Sequence, residues 1–390
     1  MPSGYLAGVA VLTAMTLIAL APPRLPGLPG AVTYRLGLVV SELPFVFLAL
    51  HAAATVLTVA GHGGLRSPAD GPIVAAAVLP TAGLAVVARR GFQARPVVHR
   101  ALDEGLGTGW RRLPRRRFRY ARILLWPFPT RPRAVARIRN LRYGPAGRRN
   151  RLDVFHHRSR PAGAPVLVYL HGGGYFSGSK NREARPLLHR LAGQGWVCLS
   201  ATYRLRPRAA FPDHLVDAKQ VIAWARAHAG RYGADPETVF VAGSSAGGHL
   251  ATLAALTPNV PALQPGFADA DTTVAGAISL YGYYGRYYDR DATEEIGSTP
   301  FAYPAAGAPP VFLAHGDRDT LVPVEQARRL AERLRSGSAH PVVYAELPGG
   351  HHAFDLFHSA RFEAVVDGVE AFTGRVRAHR EDPTVQAGPE

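Results

Sequence analysis

Residues 239–256 read VFVAGSSAGGHLATLAAL. The apolar, β-branched start (239–242) has the texture of a buried strand, and the run from Ala246 to Ala255 has helical composition. Between them Gly243-Ser244-Ser245-Ala246-Gly247 must turn the chain sharply. A serine on so tight a strand-to-helix turn projects its hydroxyl clear of the backbone, and glycines two residues to either side leave room for it. The helix that starts there aims its positive end at any anion forming beside the hydroxyl. Without this context the same five letters are only a serine in a glycine-rich turn.

A second signal lies upstream, where His171-Gly172-Gly173-Gly174 follows the apolar run PVLVYL (165–170). Such glycines let backbone amides approach a ligand, as stabilising an oxyanion requires, and losing one such donor typically costs ~10²–10³ in rate. Gly173 and Gly178 also have phosphate-loop spacing, but Ser179-Lys180 reverses the order of lysine and hydroxyl that such a loop uses. Two further motifs come later in the chain. HGDRDTLVP (315–323) offers Asp317 and Asp319, and LPGGHHAFD (347–355) offers His351 and His352. Both follow apolar runs, so they fall on loops at strand ends, where parallel sheets build their sites.

Eight short apolar runs alternate with helical patterns after residue 136: ARIRNLRYG, RLDVFHH, PVLVYL, WVCLSATY, VFVAG, AGAISLY, PVFLAHG and PVVYAELPG. That alternation predicts an α/β domain with a mostly parallel eight-stranded sheet flanked by helices, opened by two strands joined at Gly144–Gly147.

From about Arg137 to Arg377 the chain resembles the α/β-hydrolase esterases, being similar to the HGGG carboxylesterases of the hormone-sensitive-lipase group and to related membrane-linked actinobacterial esterases. Besides HGGG and G-x-S-x-G, the segment TYRLRPRAAFPDHLVDA (202–218) resembles that group's Y-R-L stretch. The resemblance implies Ser245 as nucleophile, Asp319 as orienting acid, His352 as base, and the amides of Gly173, Gly174 and Ala246 as oxyanion donors. The expected chemistry is two-step acyl transfer to water with no metal or organic cofactor. Two departures stand out: Ser244 where the commonest family form has Asp, and an H-G-x-x-D setting for the acid. Asp317 and His351 are the alternatives within their pairs. His249 reads as part of the first turn of the helix after the elbow.

Tyr175 and Phe176, just after the glycines, and Tyr283 and Tyr284, in the long aromatic segment 281–310, are expected to bind substrate. An aromatic wall favours an apolar acyl or alcohol group. An acyltransferase or amidase with the same triad, and a noncatalytic membrane scaffold, are the competing readings.

The first ninety residues differ in kind. Apolar stretches at 5–21, 36–60 and 71–88 are each compatible with a transmembrane helix, which needs ~17–25 residues. The second carries Glu42, Pro44 and His51, and its carboxylate must face other helices or the interface. Ala19-Leu20-Ala21 has the form of a signal-peptidase site, but the preceding residues hold no arginine or lysine, and three spans are the preferred reading. Arg89, Arg90, Arg95 and Arg100 after the third stretch place the rest of the chain on the cytoplasmic side, with Arg24 and Arg35 on the same side.

Basic residues outnumber acidic ones by 45 to 28, and all but Lys180 and Lys219 of the basic ones are arginine. Their densest run, RRLPRRRFRYARILLWPFPTRPRAVARIRN (111–140), interleaves them with aromatics. Next to a bilayer each is worth about 1 kcal/mol against anionic headgroups. Prolines break any long basic helix and no recognition module accompanies the charge, so nucleic-acid binding is not expected. The lone Cys198 excludes an intramolecular disulfide. The expected organisation is a membrane region over 1–90 with three helices, a basic linker over 91–135, a hydrolase domain over 136–378 and a tail over 379–390.

Overall fold

The computed structural model describes residues 3–61, 71–114, 117–287 and 296–381. Among them is one sheet of eight strands: β1 (Val135–Arg142), β2 (Arg151–His157), β3 (Ala164–Leu170), β4 (Val197–Ala201), β5 (Ala234–Ser244), β6 (Gly276–Leu280), β7 (Val311–Gly316) and β8 (Val342–Leu347). They lie in the order β1-β2-β4-β3-β5-β6-β7-β8. The sheet is mixed, since β1 pairs antiparallel with β2 and β2 with β4, while the remaining pairs are parallel. The eight apolar runs of the sequence supply these strands. β3, β4, β6 and β7 are buried at every position, as expected of strands covered on both faces.

The alternation of side chains sorts two cores. Leu167, Tyr169, Phe240, Ile278 and Phe312 face one side, and Val166, Val168, Val241, Ala277 and Leu313 face the other. The second face is covered by α7 (Asp213–His228), α8 (Ala246–Leu256) and α9 (Val324–Gly337), through residues such as Ile222, Leu250 and Leu330. The first is covered by α6 (Arg185–Ala192) and α10 (Ala360–Glu381), joined by an element from the N-terminal region.

That region forms α1 (Ser3–Leu20), α2 (Gly27–Glu42), α3 (Pro44–Gly61) and α4 (Gly71–Leu106), followed by α5 (Tyr120–Leu125). The second expected span is not one helix. The chain breaks at Leu43, whose backbone leaves the helical region (φ −123, ψ 39), and Pro44 starts α3. Proline has no N–H to continue a helix but suits the first turn of the next one. Glu42 thereby leaves the apolar stretch and is buried against Arg361 of α10. Among the described residues two helices are long and apolar enough to cross a membrane, 44–61 and a segment of α4, while the apolar part of α1 is shorter.

Helix α4 does not stop at the boundary expected at residue 90. It runs on to Leu106, burying Ala94, Val98, Ala101 and Leu102 in the same core as Phe312, Val343 and Phe372. Spacing of four, seven and eight residues puts these side chains on one helical face. Gly105 and Gly368 allow the close approach: a Cβ at Gly105 would lie 2.7 Å from the Val342 carbonyl oxygen, and one at Gly368 would lie 2.5 Å from Val98 Cγ1. Arg115 and Arg116 of the basic run, the middle of the aromatic segment (288–295) and most of the tail lie outside the described residues.

Candidate active site

Strand β5 ends at Ser244 and α8 begins at Ala246, leaving Ser245 alone at the bend with φ 54 and ψ −119. The flanking glycines are required by contact. A Cβ at Gly243 would lie 2.1 Å from the Gly247 carbonyl oxygen, and one at Gly247 would lie 2.0 Å from that of Leu170. The Ser245 amide donates to the Leu280 carbonyl at 2.9 Å, tying the bend to β6.

His352, on the loop after β8, places Nε2 2.9 Å from Ser245 Oγ and Nδ1 2.6 Å from Asp319 Oδ2. Asp319, on the loop after β7, accepts the amides of Leu321 and Val322 at 2.8 Å each through Oδ1. His315 Nε2 lies 3.3 Å from its other oxygen. Burial alone would raise the Asp319 carboxyl; the charge of His352 and hydrogen bonds from His315 and His352 overcome this and hold it well below the usual carboxylate range. The neighbours of this pair turn elsewhere. Asp317 has Oδ1 buried without a hydrogen-bond partner, and burial raises its carboxyl. His351 is buried with Nε2 3.0 Å from the carbonyl oxygen of Ala19, and burial pushes it down to about 4.

The glycine loop lies beside the elbow. His171 stacks on Tyr203 with ring centroids 4.4 Å apart, and the Tyr203 hydroxyl donates to the His171 carbonyl at 2.7 Å. The Gly172 amide donates to the Glu183 carboxylate. Gly173 and Gly174 have φ of 117 and 59, values that disfavour side chains, and a Cβ at Gly173 would lie 2.2 Å from the Ser177 carbonyl oxygen.

A cavity of about 400 Å³ opens over Ser245. Its lining includes Gly173, Gly174, Ala246, His352, Tyr175 and Tyr283, and it also takes in Tyr34, Arg182, Glu183, Tyr281, Leu321, Val322 and Ala353. Two expected substrate contacts lie outside it. Phe176 is exposed beneath the guanidinium of Arg206, 4.6 Å from its ring centroid, and Tyr284 is buried with its hydroxyl donating to Ser279 Oγ at 2.7 Å. Of each adjacent pair one member, Tyr175 or Tyr283, lines the cavity. Tyr281 was readable as the last residue of the run AGAISLY; Tyr34 carried no local signal. His249 is buried beside Tyr175, whose hydroxyl meets its Nδ1. Among the described residues no group of three or more His, Cys, Asp and Glu side chains could hold a metal ion.

A mixed eight-stranded sheet with this order, carrying a serine elbow, is the α/β-hydrolase fold of esterases. The BD-FAE family model matches residues 152–285, from β2 past the elbow. Over 417 aligned residues the chain is 38% identical to the probable carboxylic ester hydrolase LipM of Mycobacterium tuberculosis, an alignment covering 96% of this chain and 94% of that protein. It is 39% identical to Esterase LipQ of the same organism, over 64% of each chain. Among solved structures, Thermogutta terrifontis esterase 2 phosphonylated by cyclosarin is 26% identical with a TM-score of 0.53, covering 64% of this chain and 96% of that one. The butyrate-bound form of a Thermogutta terrifontis esterase, Est2, is 25% identical with a TM-score of 0.51, covering 63% and 93%. The chain belongs to the family of ester-hydrolysing enzymes that includes the LipM-type carboxylic ester hydrolases.

Proposed function

We propose that this enzyme is a membrane-anchored serine carboxylesterase working through Ser245, His352 and Asp319. The observation that carries this reading is His352 standing 2.9 Å from the Ser245 hydroxyl and 2.6 Å from Asp319 on the floor of a single cavity. His352 Nε2 takes the hydroxyl proton as Ser245 Oγ attacks the ester carbonyl carbon, and Asp319 stabilises the resulting imidazolium. The amides of Gly173, Gly174 and Ala246 receive the oxyanion, at a helix end whose dipole favours it. The imidazolium then protonates the leaving alkoxide. Water, deprotonated by the same imidazole, releases the carboxylic acid and restores the serine. A largely apolar cavity suits esters with an apolar acyl or alcohol group, and butyrate bound to a Thermogutta terrifontis esterase is a carboxylate of that kind.

The anchoring reading rests on composition and on where the helices meet. The end of α1 and the middle of α4 come together at the catalytic domain, where Arg90 Nη1 donates to the Leu20 carbonyl at 3.0 Å. The start of α3 lies next to Glu42, which is bound to the same domain. Helices α1, α3 and the first half of α4 then cross the membrane, α2 lies at the interface, and the arginines after residue 88 hold the catalytic domain in the cytoplasm.

The test is hydrolysis of nitrophenyl acyl esters by the detergent-solubilised protein beside Ser245→Ala. Activity in the first and its loss in the second are expected. Product analysis with competing alcohols or amines would reveal acyl transfer if water is not the acceptor.

A further inference from the structure

Helix α2 enters the catalytic cavity from outside the hydrolase domain. Its Tyr34 lines the cavity, with the ring edge-on to His352 at 6.3 Å between centroids and 68° between planes. Three features hold the helix there. Gly37 lies against His351, so close that a Cβ would stand 2.9 Å from the imidazole Cε1. One turn on, Ser41 Oγ donates to the Gly349 carbonyl at 3.2 Å, and at the end of the helix Glu42 pairs with Arg361, both side chains buried. Arg361 Nη2 in turn donates to the Pro348 carbonyl at 3.1 Å. Gly349, Pro348 and His351 belong to the loop that carries His352. The tyrosine and the imidazole are therefore positioned by one set of contacts.

We propose that Tyr34 is a specificity-determining residue, and that α2 is a wall of the substrate cavity that limits the length of the ester's apolar chain. This rests on the reading of Ser245 as the nucleophile of the same cavity. A tyrosine ring is large and has few rotamers, and α2 is fixed at both Gly37 and Glu42, so it presents a rigid stop to an acyl or alkyl chain. At the cavity edge Leu321 is half exposed and adds apolar surface beside the ring. Removing the ring would enlarge the cavity at its α2 wall, leaving room that a longer apolar chain can fill.

The experiment compares full-length wild type, Tyr34→Phe, Tyr34→Leu and Tyr34→Ala on two substrate series. One varies the acyl chain of nitrophenyl esters from two to twelve carbons, and the other varies the alcohol of butyrate esters from methyl to octyl. In at least one series Tyr34→Leu and Tyr34→Ala are expected to raise the long-to-short ratio of kcat/KM by about tenfold, chiefly through KM on long substrates, with Tyr34→Phe matching wild type. A one-methylene difference in an apolar pocket discriminates about 10-fold or more. Unchanged ratios in both series for Tyr34→Leu, which keeps an apolar side chain and guards against misfolding, would overturn the proposal. If instead wild type hydrolyses nothing, or Ser245→Ala stays active, the serine reading fails first and is recognised separately.

Discussion

Asp355 Oδ2 lies 2.6 Å from the hydroxyl of Ser244, the residue before the elbow serine. Its other oxygen accepts from Tyr281 at 2.5 Å, and the Tyr169 hydroxyl donates to Ser244 Oγ at 2.8 Å. All four side chains are buried. The Tyr281 ring packs against His352 with centroids 4.6 Å apart. Where resembling esterases carry an acid before the nucleophile, this chain carries a serine, and a carboxyl three residues after His352 occupies the space beside it.

A swap tests that arrangement. Ser244→Asp alone puts two carboxyls in one buried cluster, and we expect it to cost on the order of 3 kcal/mol in denaturant unfolding. Adding Asp355→Ser is expected to recover more than half of that loss. Additive losses in the double variant would show that the two positions are energetically independent.

Glu183, which holds the Gly172 amide, gives a pH signature. Burial, with the nearby charge of Asp355, pushes its carboxyl from 4.5 up to about 7. The folded protein thus keeps a proton that the unfolded chain releases near pH 4.5. This contribution to stability is whole below that pH and is lost as pH rises to about 7. Glu183→Gln keeps the acceptor for Gly172 and is expected to remove part of the decline, on the order of 2 kcal/mol between pH 4.5 and 8. Urea unfolding at the two pH values measures it; an unchanged decline would contradict the assignment.

The pair between Glu42 and Arg361 predicts an asymmetric outcome. Glu42→Leu leaves a buried guanidinium uncompensated and is expected to cost about 3–5 kcal/mol, whereas Glu42→Leu with Arg361→Met is expected to lose much less. Thermal unfolding in detergent separates the two cases.

Retention of α1 is the fourth expectation. His351 and Arg90 bind the carbonyls of Ala19 and Leu20, so the membrane-extracted protein should keep residues 5–21, as intact mass reports. Reporter fusions after Arg90 should place the catalytic domain in the cytoplasm.

The eight strands were legible because buried parallel strands are continuous apolar runs, which local composition reveals. The elbow was legible because steric demand left glycine at 243 and 247. Motif order located the loops bearing Asp317, Asp319, His351 and His352, but which member of each pair faces the serine depends on how the loop turns. The contact between Glu42 and Arg361 joins residues 319 positions apart, beyond the reach of any local pattern. The break at Leu43 was hidden by a hydropathy run that continues across Pro44. The burial of α4 could have been read from the spacing of Ala94, Val98, Ala101 and Leu102, but the surrounding arginines and the internal Pro80 and Pro96 obscured it.

Helix α4 is continuous over 36 residues, about 54 Å at 1.5 Å per residue, with its first half apolar and its second half inside the hydrolase core. With the apolar half seated in a bilayer, such a strut gives the enzyme no swinging tether. On the proposed membrane-anchored reading, the mouth of its cavity would keep a set height and tilt above the lipid, so that the catalyst searches a plane rather than a volume and changes in bilayer thickness are transmitted to it as a lever transmits them.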